Sequence, residues 1–348
     1  MTETMLAGRL DRKTRRFQVE EVPVPTPEPD EVRIAVAAAG VCLSDLHLID
    51  GTLNPRGTAS AVTLGHEVAG RVEALGEAVP PGVHIGQRVT LQAGQSCGRC
   101  DDCIRRQTCP RSLTRGVHYD GGWAEYALAR VDTLVPIPEH LPFDQAAIIP
   151  DAVSTPYAAI TATAQVRPAQ SAAVWGAGGL GAHAIQVLKL VGAAPIIAID
   201  PLPAARRRAL AFGADVALDP GAEDLVTQVR DATAGRGVDY AFDFAGVAAA
   251  RDQAVAALAP AGALVLVGLT PEPLSISDST TFCARKNRLL GHYGSAPQHV
   301  EELVAMTATR RLGFSDSISG HIKLADAEDA VHRLAHKSGD PVRLVLVP

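Results

Sequence analysis

Four of the six cysteines of this 348-residue chain fall within "CGRCDDCIRRQTC", residues 97 to 109. Two residues separate Cys97 from Cys100 and Cys100 from Cys103, and five more intervene before Cys109. Such short intervals let one folded-back loop present four sulfurs to the corners of a Zn²⁺ tetrahedron. Four thiolates leave a net charge near −2 on the complex, and Arg99, Arg105, Arg106 and Arg111 lie close enough in sequence to offset it. Four thiolates also fill every coordination position, so a metal held there is structural and the chemistry lies elsewhere. A second group, Cys42, Ser44, Asp45, His47, His66 and Glu67, gathers within 26 residues in "AAGVCLSDLHLID" and "LGHEVAG". It offers a thiol, a hydroxyl, carboxylates and imidazoles, a concentration of chemistry hard to dismiss as structural histidines alone. Cys283, in "TFCARKN", has no such neighbours and reads as an unligated thiol.

The elements that must position a cofactor lie further along. From residue 171, short aliphatic runs alternate with amphipathic stretches: "SAAVWGAGG", "HAIQVLKLVG", "APIIAIDP", "PAARRRALAFGA", "DVALD", "VDYAFDFAG" and "GALVLVGLT". This alternation predicts βαβ units, and so an α/β doubly wound parallel sheet. "GAGGLG", with Gly176, Gly178, Gly179, Leu180 and Gly181, falls between the first strand and the first helix. There glycines permit a tight turn and close approach of a pyrophosphate to the helix N-terminus. Asp200 ends the next strand, where a carboxylate would bind the adenosine ribose. The run Arg206, Arg207, Arg208 opens a helix whose apolar face is expected to continue through Leu210 and Phe212. The proline-dense "VPVPTPEPDEV" at 22–32 suits a connection between early strands.

Taken in order, the Cys42 segment, the Gly-His-Glu sequence at 65–67, the four-cysteine lobe, the "DGGWAEY" segment at 120–126 and the glycine-rich turn make the chain resemble the zinc-containing medium-chain alcohol dehydrogenase family along nearly its whole length. The interval from Cys103 to Cys109 is two residues shorter than that family's usual spacing. The resemblance implies a mainly β, GroES-like catalytic domain over 1–152 with the zinc lobe at 94–112, a Rossmann domain over 153–289, and a return segment, 290–348, that completes the catalytic domain and leaves the active site in the cleft between the two. It also implies two zinc ions per chain and NAD. Cys42 and His66 would bind the catalytic zinc, with Asp151 as third ligand and Glu67 as its rival, beside or behind the metal. Asp45 would orient the His66 ring or cap the local helix. Ser44 would hydrogen-bond the alcohol oxygen, or serve as a helix N-cap, and His47 would carry the proton toward solvent. Thr155, Val267 and Arg343 would contact the cofactor. The zinc would act as a Lewis acid while hydride passes between the alcohol, or the corresponding carbonyl, and the nicotinamide. A member that binds the dinucleotide without turnover is the competing reading, but it would be expected to lose the zinc ligands or the relay.

Length and composition agree with this division. A chain of this size exceeds what one hydrophobic core usually serves, so two domains are expected. Hydrophobic residues at 47%, charged residues at 20% and a net charge of −6 leave no basic excess for nucleic acid or an anionic membrane. The N-terminus carries no apolar stretch of signal-peptide length and no run approaches a membrane span. The expectation is a cytoplasmic enzyme acting on a small molecule, assembled as a homodimer or homotetramer.

Overall fold

The structure, a computed structural model, describes residues 3–55, 59–105 and 109–348. The chain divides into two compact units, Met1–Ala152 with Ala296–Pro348, and Val153–Ser295.

The first unit is mainly β. Its central strand, Glu31–Val41, alternates buried and half-buried residues before becoming fully buried at Ala38–Val41. It pairs antiparallel with Val68–Leu75, Tyr126–Arg130 and Arg343–Val347. Arg88–Leu91 and Leu134–Pro136 extend the seven-stranded sheet on one side, and Ile318–Lys323 on the other. The C-terminal strand therefore sits beside the one that delivers Cys42. A core of Ile34, Val41, Leu48, Leu64, Val68, Leu91 and Leu344, all essentially inaccessible, fixes the sheet against its surroundings. A second sheet joins Arg16–Pro23, Thr4–Asp11 and Ala61–Thr63. The proline-dense stretch does bridge strands, from Pro23 to Glu31. A two-residue ladder, Gly94–Gln95 with Leu113–Thr114, closes the base of the cysteine lobe.

The second unit is a six-stranded, all-parallel sheet in the order Val216–Leu218, Ile196–Ile199, Ala172–Trp175, Val238–Asp243, Leu258–Leu266, Arg288–Gly291. This is the doubly wound dinucleotide-binding order, whose direction reverses between Ala172–Trp175 and Val238–Asp243. Both central strands are almost wholly buried, as a parallel sheet covered on two faces requires. The sixth strand carries this unit past Leu289, where the sequence suggested it would end. In the helix Pro203–Phe212 the buried face is Ala205 and Ala209, and Leu210 is exposed, so the expected apolar face through Leu210 is corrected. No helix among the described residues is long and apolar enough to cross a membrane.

Candidate active site and structural metal lobe

The strand Glu31–Val41 ends at Cys42, which caps the helix Leu43–Asp50. Asp45, wholly buried, folds back so that Oδ2 accepts the Cys42 amide at 3.0 Å. Its Oδ1 accepts the Gly65 amide at 3.3 Å and stands 3.5 Å from His66 Nδ1. One carboxylate thus caps the helix and stands beside the imidazole, a placement compatible with both roles expected of Asp45. Ser44 is not the cap, because Cys42 occupies that position. Gly65 has φ +94°, and a Cβ there would lie 2.2 Å from the Trp123 ring. Only glycine makes the turn that presents His66.

Cys42 Sγ lies 3.4 Å and His66 Nε2 3.3 Å from the same atom, Asp151 Oδ2. Bonds of roughly 2.0–2.3 Å at tetrahedral angles place zinc ligand atoms about 3.3–3.6 Å apart, so these three donors form a ready face for the ion. Two anionic donors and one imidazole also match its charge. Glu67 completes a group of four whose ligand atoms all lie within 4.8 Å of one another. It is nevertheless engaged elsewhere: Oε1 accepts the Ala152 amide at 3.1 Å and pairs with Arg343 Nη2 at 3.0 Å. Oε2 packs on Gly40, where a Cβ would come within 1.9 Å of it. Asp151 keeps a 20% exposed side chain while Glu67 has none. Asp151 is therefore the better third donor, with Glu67 behind it.

The electrostatics follow from burial. For His66, desolvation favours the neutral ring, but Asp45, Asp151 and Cys42 together outweigh it and hold the proton affinity well above the ordinary histidine value. Burial pushes Glu67 up to about 7, against the pull of Arg343. A divalent cation would relieve both. Arg343 was expected at the cofactor. It lies 2% exposed on the C-terminal strand, donating to the Val41 carbonyl and standing 3.8 Å from Asp151 Oδ2. Its guanidinium is the buried counter-charge of Glu67. Nothing in the local sequence "DPVRLVLVP" signals this, because the partner, Glu67, lies far away along the chain, just before the strand Val68–Leu75. Ser44 Oγ lies 3.7 Å from Cys42 Sγ, and His47, half-buried, follows on the same helix.

In the lobe, the four sulfurs stand 3.4–3.9 Å apart along the measured edges. About 3.8 Å is the edge of a tetrahedron with zinc–sulfur bonds of roughly 2.3 Å, whereas a disulfide would need about 2.05 Å. All four cysteines are free of disulfides. Backbone N–H groups of Arg99 and Cys100 draw the Cys97 thiol down to about 6, while desolvation and its neighbouring thiols push Cys103 up to about 12. The sulfurs therefore converge despite the short Cys103–Cys109 interval. Of the four arginines expected to offset the charge, Arg106 lies outside the described residues. Cys283 is exposed, on the helix Ser279–Ala284.

In the second unit, Gly176 has φ +89° and a Cβ on Gly181 would lie 1.7 Å from the Gly176 carbonyl oxygen, whereas one on Gly178 would meet nothing within 4 Å. The turn thus packs at its ends and leaves room above Gly178, as close approach of a phosphate requires. Gly179 and Leu180 lead into the helix Gly181–Val191. Asp200 accepts the Ala177 amide through Oδ2 at 2.8 Å and the Leu202 amide through Oδ1 at 2.9 Å. Val267 follows the strand Leu258–Leu266, and Thr155, 5% exposed, lies in the helix Ser154–Ala158. His292, which sequence reasoning passed over, bonds the Thr155 carbonyl.

Residues 28–139 match the family described as alcohol dehydrogenase GroES-like domain, and residues 179–309 match zinc-binding dehydrogenase. The chain is 33% identical to L-threonine 3-dehydrogenase of Pyrococcus furiosus, over 87% of this chain and 86% of that one. It is 30% identical to sorbitol dehydrogenase of Bacillus subtilis, over 96% and 95%. A zinc-binding dehydrogenase of Sinorhizobium meliloti, solved bound to NADP, superposes with a TM-score of 0.92 over the whole of both chains at 29% identity.

Proposed function

Because the chain belongs to the zinc-containing medium-chain alcohol dehydrogenase family, we propose that it is an NAD-dependent, zinc-dependent alcohol dehydrogenase that also runs toward carbonyl reduction. The observation that carries this reading is the convergence of Cys42 Sγ and His66 Nε2 on Asp151 Oδ2. A non-catalytic dinucleotide-binding protein would have no use for that arrangement.

Zinc in this donor set would supply Lewis acidity toward an alcohol or carbonyl oxygen, and NAD on the second unit would accept or return the hydride. The chain's own residues prepare that chemistry. Asp45 beside His66 Nδ1 leaves Nε2 as the ligating atom, the arrangement by which a carboxylate raises the basicity of a metal-bound imidazole. Arg343 neutralises Glu67 and holds it back, which keeps a fourth position open for substrate. Ser44 would hydrogen-bond the substrate oxygen and take its proton. His47, three residues on along the same helix, would pass the proton toward solvent. The lobe cysteines Cys97, Cys100, Cys103 and Cys109 would hold the second zinc.

The glycine-rich turn and Asp200 would seat the coenzyme, with Thr155 and Val267 at its nicotinamide half. The sheet edge strand Arg288–Gly291, with exposed Leu289 and Tyr293, supports assembly of copies into a dimer or tetramer. Metal analysis should find about two zinc ions per chain. Asp151→Ala should lose one of them, and turnover with it, while still binding NADH. Full activity in that variant would defeat the assignment of the third ligand.

A further inference from the structure

Carboxyl ends of parallel strands are where doubly wound sheets bind dinucleotides, and the strands beyond the reversal point form the second mononucleotide half. His292 occupies that edge. It follows the strand Arg288–Gly291 directly, and its amide donates to the carbonyl of Leu266 at 3.0 Å, beside Val267. Its imidazole reaches back to the helical segment that opens this unit. Nε2 lies 3.0 Å from the Thr155 carbonyl oxygen, and Nδ1 lies 2.9 Å from Thr163 Oγ1. The Thr155 carbonyl can only accept, so the proton sits on Nε2 and the Thr163 hydroxyl donates to Nδ1 in the neutral ring. The segment so clamped departs from regular helix. Ser154–Ala158 is α-helical, and Ala159–Ala164 widens into a π-helical turn, a form frequent at functional sites. Ser295 adds a bond from its hydroxyl to that of Ser154 at 2.8 Å.

We infer that His292 is a positioning residue for the coenzyme: by bridging the Thr155 carbonyl and the Thr163 hydroxyl it fixes the Ser154–Ala164 segment in the shape that receives the nicotinamide half of the dinucleotide. This rests on the proposed function, in which Thr155 lines that half. The role so assigned to His292 runs through Thr155 and not through the metal or the reacting atoms. Its contribution therefore falls on coenzyme affinity, not on metal binding.

The test uses the zinc-loaded full-length protein and NADH binding followed by fluorescence titration. His292→Ala should weaken NADH about tenfold, the scale of one hydrogen bond that orders a binding segment. The KM for NAD should rise alike, with zinc content unchanged. Glutamine places an amide N–H near the position of Nε2, so His292→Gln should recover most of the affinity. Asparagine mimics only Nδ1, so His292→Asn should not. Thr163→Val is the milder variant and should give a partial loss if the alanine variant fails to fold. Unchanged NADH affinity in the alanine and valine variants, or equal weakening in the glutamine and asparagine variants, would overturn the inference. A wild-type protein that binds neither NADH nor NADPH would instead overturn the functional reading, and this inference with it.

Discussion

Arg343 Nη2 meets Glu67 Oε1 at 3.0 Å with both side chains withdrawn from solvent. Removing one partner of a buried ion pair strands the other's charge, which costs about 3–5 kcal/mol. Arg343→Met should therefore destabilise the protein in urea unfolding, by an amount that grows toward that order as pH rises above about 7, where Glu67 is ionised in the wild type. Glu67→Gln combined with Arg343→Met should recover much of the loss, because no charge is left stranded. If Arg343→Met alone costs about 1 kcal/mol or less, the value of an exposed pair, the guanidinium is not compensating Glu67.

This pair also marks the limit of what the sequence disclosed. Cys42, His66 and Asp151 could be singled out as candidates because their types and settings carry a resemblance, and the parallel sheet was legible because its buried strands are unbroken aliphatic runs. The pairing of Arg343 with Glu67 and the bonds of His292 were not legible, since each joins partners that folding brings from far along the chain. The strand Arg288–Gly291 escaped notice for a different reason: it is four residues long and mostly exposed, so it shows neither alternation nor an apolar run. The two uses of Asp45 could be expected separately from the sequence, but only the geometry places one carboxylate where both are open to it.

Asp45→Asn tests that double use. The amide can keep an oxygen on one backbone N–H but loses the negative charge beside His66 Nδ1. Loss of such an outer carboxylate typically costs a catalytic zinc about 10- to 100-fold in affinity. Competition with a chromophoric chelator should show one weakened zinc and one unchanged. Equal retention of both would mean that Asp45 only caps the helix.

The lobe should behave independently of the catalytic site. Cys100→Ser should remove about one zinc per chain and lower the melting temperature, because structural zinc contributes folding free energy. The pH dependence has a definite sign. Zinc binds thiolates, so protons compete: affinity should fall with pH already near 7, where Cys103 must give up a proton, and more steeply below about 6, where Cys97 also loses its charge. Stripped protein should release protons on taking up zinc near pH 7. Unchanged zinc content and melting temperature in Cys100→Ser would show that the four sulfurs hold no metal.

Coenzyme choice turns on Asp200 against the three arginines that follow it. The carboxylate is fixed by the Ala177 and Leu202 amides, at the strand end where the adenosine ribose is expected, and its charge would repel a 2′-phosphate. Two of the arginines are already committed. Arg206 donates to the carbonyls of Asp200 and Pro201 and pairs with Asp219 at 2.9 Å, while Arg208 donates to the Ala177 carbonyl at 3.1 Å. Arg207 is exposed. The wild type should prefer NAD over NADP by at least about tenfold in kcat/KM, equivalent to about 1.4 kcal/mol. Asp200→Gly should narrow that ratio from both sides, by relieving the repulsion and by freeing the glycine-rich turn from its anchor at Ala177, so activity with NAD itself should fall. Arg207→Ala should leave the ratio nearly unchanged. Wild-type kcat/KM for NADP equal to or above that for NAD would overturn the assignment, and a collapse of NADP activity in Arg207→Ala would transfer the choice to the arginine.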